Sequence, residues 1–183
     1  MSAIRSAMLG AVLMASIGVA PAVAQAEFSL GGGVTSPLGN FDDVAKLGWH
    51  GMAAVSFVPQ NLPVGFQVDG SFSRLSDESP LDVKSQLIYG TANVVYKFKV
   101  AEDTKFRPYL IGGGGVYNLD AKGEDVPSTV ESVTKFGINA GAGFDFKAGS
   151  AGVFVEGRFH NVFTEGDNTS FIPITVGVRF GGT

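Results

Sequence analysis

From residue 27 onward the dominant pattern is alternation with a period of two, and it recurs in segment after segment. In VGFQVDGSFS, one face carries Val64, Phe66, Val68, Gly70 and Phe72, while Gly65, Gln67, Asp69, Ser71 and Ser73 lie opposite. In KFGINAGAGFDFK, Phe136, Ile138, Ala140, Ala142, Phe144 and Phe146 oppose Lys135, Gly137, Asn139, Gly141, Gly143, Asp145 and Lys147. In GVFVEGRFHNVF, Val153, Val155, Gly157, Phe159 and Phe163 oppose Glu156, Arg158 and His160. In FIPITVGVRF, Ile172, Ile174, Val176, Val178 and Phe180 oppose Thr175, Gly177 and Arg179. Successive side chains of a strand point to opposite faces, so each segment reads as a strand with one apolar and one polar face.

The pattern predicts strands near residues 27–34, 48–58, 64–74, 83–98, 106–117, 134–146, 152–163 and 171–180. Their links alternate in length. Residues 59–63, 99–105 and 147–151 are short; 35–47, 75–82, 118–133 and 164–170 are mostly longer and carry Gly, Asp, Asn, Ser or Pro. Strands joined this way pair as antiparallel neighbours, and eight of them close into an up-and-down barrel without exposed edges. Composition agrees. The chain holds 26 Gly, too many for a helical domain, and 45% hydrophobic residues, too many for a disordered one. It has no Cys, which excludes disulfides, thiolate metal sites and a Cys nucleophile. A net charge of -4 argues against nucleic acid as the main partner, since phosphate binding needs a surplus of Lys and Arg.

Residues 1–26 read as a cleaved signal peptide. Arg5 supplies the only charge, Ala7 to Ala20 is an apolar or small run, and AQA ends at Ala26 with small residues at the cleavage positions. The run is too short for a spanning helix of roughly 20 residues. Loss of Arg5 with this leader takes the charge from -4 to -5. One barrel domain, 27–183, is expected to remain, with no following cell-wall-binding domain.

Polarity decides the solvent. A narrow soluble barrel filled with Gly, Ser, Asp, Asn, Arg and Lys has no apolar core and leaves a band of Phe, Val and Ile in water. A bilayer removes the conflict, because each Val or Ile turned from water contributes about 1.5–3 kcal/mol. The expected lipid-facing belt comprises Phe66, Val68, Phe72, Ile138, Phe144, Val155, Phe159, Ile174, Val176 and Val178. Trp49, Tyr96, Phe98, Phe106, Tyr117, Phe146, Phe163, Phe171 and Phe180 suit aromatic girdles at its borders. The segment FRPYLIGGGGVYNL is ambiguous in phase; its Gly112 to Gly115 run marks a tight curve or a crowded lumen. Asp69, Arg107, Asp145, Glu156, Arg158 and Arg179, with Lys97, are expected to form a polar network across the lumen, since buried charges require partners. The longer links hold Asp42, Asp43, Asp77, Glu78, Asp82, Asp120, Glu124, Asp125, Glu131, Glu165 and Asp167 against Lys46 and Lys122, so the end that bears them is acidic. Outer-membrane barrels keep short turns in the periplasm and longer loops outside.

Three segments carry a family resemblance. FRPYLIGGGGVY resembles the Arg-Pro-Tyr and Gly-rich strand of the small outer-membrane β-barrel family, GINAGAGFDFK its Gly-alternating strand, and ITVGVRF its terminal assembly signal closing on Phe180. Opacity-type surface proteins and the membrane domain of outer membrane protein A belong to that group. Here Gly181, Gly182 and Thr183 follow the closing aromatic. The resemblance spans residues 27–183. It implies a bacterial outer-membrane location, contact with membrane lipids and lipopolysaccharide, delivery by the barrel assembly machinery, and a monomer.

No Walker, H-E-x-x-H or G-x-S-x-G motif occurs. No catalytic residue, metal site or cofactor is expected. His160 beside Glu156 invites the Ser-His-acid reading of a lipid-modifying enzyme, but a lumen-facing His next to Glu156 and Arg158 reads better as part of a buried polar network. The acidic links have no EF-hand spacing and read as a solvated surface. The preferred reading is a structural or surface-interaction protein. The alternatives are a narrow porin-like channel for ions or small solutes, a lipid-modifying enzyme, and a soluble lipocalin-like carrier.

Overall fold

The computed structural model describes residues 24–42, 46–59, 62–76, 84–101, 104–122, 133–148, 151–164, 166 and 168–181. Eight strands form one closed antiparallel barrel in sequence order. They are β1 (Ala24–Leu38), β2 (Gly48–Pro59), β3 (Val64–Ser76), β4 (Lys84–Lys97), β5 (Phe106–Lys122), β6 (Val133–Ala148), β7 (Ala151–Val162) and β8 (Thr169–Gly181). The expected leader lies outside the described residues except for Ala24, Gln25 and Ala26, which pair with Pro59, Val58 and Phe57.

The first strand extends four residues past its predicted end at Val34, and the reason is closure. Thr35, Ser36, Pro37 and Leu38 pair with Pro173, Ile172, Phe171 and Ser170 of β8. At the other end of this seam Glu27 faces Gly181. Gly181 has φ +86, and a Cβ there would stand 2.5 Å from the Ala26 carbonyl oxygen. A glycine is therefore needed where β8 runs past Phe180.

The alternation sorts the barrel into two faces. Phe66, Ile138 and Ile174 are 62%, 48% and 50% exposed on the outer wall. Val68, Phe144, Val155, Phe159, Val176 and Val178 are exposed beside them. Phe72 is half-buried against the Trp49 ring, 5.6 Å between centroids. From Phe136 to Phe146 the belt spans roughly 25 Å along the axis, at about 3.4 Å per residue and a tilt of about 40°. Polar side chains fill the inside: Ser56, Gln67, Asp69, Thr91, Asn93, Asn139, Glu156, Arg158 and Arg179 are buried.

Two girdle assignments are corrected. Tyr117 and Phe171 are fully buried inside the barrel, not at its border. They pack with Leu75, Leu87, Tyr89 and Val162 in an apolar cluster at the loop end of the lumen. The barrel must fill that end with volume, and polar side chains without partners would be costly there. The phase of β5 is also resolved. Tyr109, Ile111 and Tyr117 are buried inside, while Leu110 and Val116 are exposed outside.

Candidate functional site

The lumen holds two charged networks separated by a layer of aromatic rings. The central one spans the barrel from β7 to β3, strands on opposite walls. Glu156, Arg158 and His160 share the inner face of β7 because they are two residues apart. Arg158 Nη1 donates to Asp69 Oδ1 at 2.9 Å, and its Nε donates to Glu156 Oε1 at 3.0 Å. Nη2 also meets Glu156 Oε1, so one guanidinium links two carboxylates.

Asp69 is surrounded by neutral donors of the same strand phase. Thr91, directly across the pair in β4, donates to Oδ2 at 2.8 Å. Asn93 and Gln67 donate to Oδ1 at 2.9 and 3.1 Å. Ser56 donates to Gln67 Oε1 at 3.0 Å, and Asn139 donates to Asn93 Oδ1 at 2.9 Å. Glu156 Oε2 accepts the Tyr109 hydroxyl at 2.9 Å. Two carboxylates against one guanidinium leave a formal excess of one negative charge, spread over these donors. The glycine run of β5 makes room for them. A Cβ on Gly113 would lie 2.6 Å from Asn93 Oδ1, and one on Gly115 2.8 Å from Thr91 Cγ2.

The second network lies at the mouth that the chain ends and short turns share. Lys97 Nζ donates to both oxygens of Glu27, at 2.7 and 3.1 Å, and stands 3.6 Å from Asp145. Arg179 is 3.3 Å from Asp145 and 3.8 Å from Glu27. Its guanidinium carbon sits 4.9 Å from the Tyr109 ring centroid and 4.8 Å from that of Phe154. These two rings divide mouth from centre, and inner-face glycines seat them. A Cβ on Gly143 would run into the Tyr109 ring, and one on Gly177 would lie 2.5 Å from Phe154 Cε1.

Of the residues expected in the network, Asp69, Glu156 and Arg158 meet at the centre; Asp145, Arg179 and Lys97 meet at the mouth. Arg107 is corrected: it is exposed and forms no ion pair with another described residue. It carries the inner phase of β5 but stands at the strand's first rungs, where the wall has ended and water solvates it. Glu27 joins the mouth although the sequence reading placed it at a cleavage boundary. Gln67, which shares the polar face of β3 with Asp69, joins the central network, as do Thr91, Asn93 and Tyr109; the alternation of β4 is the signal for Thr91 and Asn93.

Towards the loop end the lumen holds two histidines. His50 Nδ1 lies 3.0 Å from Thr35 Oγ1 and its Nε2 2.9 Å from Thr175 Oγ1. His160 Nδ1 lies 2.9 Å from the Tyr117 hydroxyl, and its ring stacks on Phe171 at 4.9 Å. Among the described residues no group of three His, Cys, Asp or Glu side chains is placed to hold a metal. The acidic loop residues other than Asp42 and Asp120 lie outside the described residues.

The model of the outer membrane protein β-barrel domain matches residues 7–180. The chain belongs to this family. Its location is the bacterial outer membrane. Solved structures share the fold at low identity. Neisserial surface protein A aligns at 13% identity with a TM-score of 0.63, covering 86% of this chain and 96% of that one. Ail, the attachment invasion locus protein of Yersinia pestis, was solved with the heparin analogue sucrose octasulfate. It aligns at 15% identity with a TM-score of 0.57, covering 86% and 99%. A major outer membrane protein of Thermus thermophilus gives 12%, 0.57, 86% and 99%. No curated protein sequence matches.

Proposed function

We propose that the barrel is a structural and surface-interaction protein of the outer membrane rather than a general pore. The observation that carries this reading is the bridge from β7 to β3, in which Arg158 joins Glu156 to Asp69 across the centre of the lumen. The rings of Tyr109 and Phe154 on one side, and the cluster around Tyr89, Tyr117 and Phe171 on the other, add to the filling. Short turns lie at the end of both termini, so that end faces the periplasm and the longer links face outward. The protein acts as a monomer in contact with outer-membrane lipids and lipopolysaccharide, and the assembly machinery reads the final strand with its closing aromatic, Phe180.

The outward links are acidic in sequence. A sulfated polyanion such as the heparin analogue bound to Ail is therefore not carried over to this chain; like charges repel at that surface. The protein is non-catalytic in this reading. His160 is engaged by Tyr117 and Phe171, and Glu156 by Arg158 and Tyr109. Unchanged lipid A and phospholipid profiles on overexpression, with or without His160→Ala, are expected.

A second reading, a narrow channel, draws on the succession of polar groups from the mouth to the centre. Planar-bilayer recording of the purified full chain separates the two. The structural reading expects a quiet bilayer. Steady unitary openings that change with Arg158 or Asp69 substitution would establish the channel instead.

A further inference from the structure

The barrel is charged unevenly along its axis. The longer links are acidic in sequence, whereas the turn end exposes Lys99, Lys105, Arg107 and Lys147. These four gather in one sector. The Phe98 amide donates to the Pro108 carbonyl at 3.0 Å, so the chain leaving β4 runs beside the start of β5. The Lys147 amide donates to the Lys105 carbonyl at 3.0 Å, which joins the end of β6 to the same place. With strands about 4.8 Å apart, the four cations fall within roughly 15 Å of one another. Glu102 and Asp103, between Lys99 and Lys105 in sequence, offset two of the four charges and leave a formal excess of two positive ones; Asp145 is held in the mouth by Lys97 and Arg179. The remaining turns, 60–63 and 149–150, carry no charge in sequence.

Depth is set by the neighbouring rings. Lys99 follows Phe98, Lys105 and Arg107 flank Phe106, and Lys147 follows Phe146. All three phenylalanines are exposed on the outer wall. Aromatic residues at a barrel's border lie at headgroup level. The four cations share the inner phase of their strands, but the wall ends here and their side chains are exposed at the rim. Long basic side chains extend from such a position to the phosphates of adjacent lipids. A Lys or Arg near an anionic lipid surface gains about 1 kcal/mol.

We propose that this one-sided cationic rim binds the phosphate of an anionic phospholipid headgroup in the leaflet on the turn side. The assignment of that leaflet to the periplasmic side rests on the orientation given above. Binding itself does not, so the test places the lipid in both leaflets.

The full chain is refolded into phosphatidylcholine bilayers containing trace spin-labelled phosphatidylglycerol or spin-labelled phosphatidylcholine, and the motionally restricted fraction is read. The expected result is a preference of about three- to tenfold for the anionic label, abolished in about 1 M salt. The quadruple variant K99Q/K105Q/R107Q/K147Q brings the preference to unity, whereas Arg74→Gln at the loop end keeps it. Should the quadruple variant fail to fold, K105Q/K147Q carries the test, with the preference reduced about twofold or more. Equal association of the two labels with the unsubstituted protein overturns the proposal, as does a preference that the rim variants leave intact or that Arg74→Gln removes. Millimolar glycerol phosphate is expected not to displace the labelled lipid; full displacement would make the rim a site for a soluble anion and sink the lipid assignment.

Discussion

The two charged networks of the lumen use the same residue types and are built differently. At the centre, every carboxylate oxygen of Asp69 and Glu156 accepts a hydrogen bond, and neutral donors outnumber the single guanidinium. At the mouth, charges balance one for one; Lys97 holds Glu27 at 2.7 Å, but the contacts to Asp145 and those of Arg179 are longer, 3.3 to 3.8 Å. Asp145 Oδ1 and Arg179 Nε lie 3.3 Å apart without hydrogen-bond geometry. The mouth carboxylates, Glu27 and Asp145, are partly exposed, whereas Asp69 and Glu156 are buried. Depth therefore bears on how a charge is held: every carboxylate oxygen has a directed donor where solvent is excluded, whereas Asp145, nearer the opening, is held at longer range by Arg179 and Lys97.

The widest contrast is expected from removing the central cation. Arg158→Ala leaves two buried carboxylates without a counter-charge and is expected to cost about 3–5 kcal/mol, read from urea unfolding in lipid vesicles. A loss below about 1 kcal/mol would erase the distinction between centre and mouth. Gly143→Ala comes next, because it strikes the partition. The new methyl meets the Tyr109 ring and stands 2.7 Å from the Val155 carbonyl oxygen, at an expected cost of about 1–3 kcal/mol. Tyr109 serves both networks, so combining Gly143→Ala with Tyr109→Phe should remove the part of this loss that passes through Glu156. Lys97→Gln at the mouth is the smallest, about 1 kcal/mol. Its effect should shrink in about 1 M salt while that of Arg158→Ala stays constant, since only the mouth is screened.

Much of this is legible in the sequence. Period-two alternation separates Phe66 from Asp69 and Ile174 from Arg179 because lipid and lumen demand opposite chemistry on alternate residues. The same rule marked Phe171 as internal, since it shares its phase with Thr175 and Arg179; its aromatic character argued for a girdle and misled. Tyr117 failed for a related reason. In β5 large apolar residues occur on both faces, because Tyr109 and Tyr117 turn inward over Gly143 and Gly137 of the neighbouring β6. Composition alone cannot tell a ring that meets lipid from a ring that fills a void. Arg107 carried the right phase, yet phase says nothing about where a wall stops. Glu27 was obscured by a boundary drawn just before it.

The seam between β1 and β8 has a consequence for biogenesis. It joins the earliest part of the barrel to the latest, with Phe28 against Phe180 and Leu30 against Val178. No intermediate shorter than the whole array can satisfy both margins of the growing sheet. A polypeptide interrupted before its final segment would present two rows of unpaired amides and carbonyls to its surroundings, a template for association with other chains. Such distant pairings also slow the search for the native state. Arrival of the last strand is thus both the finishing step and the proof of completeness.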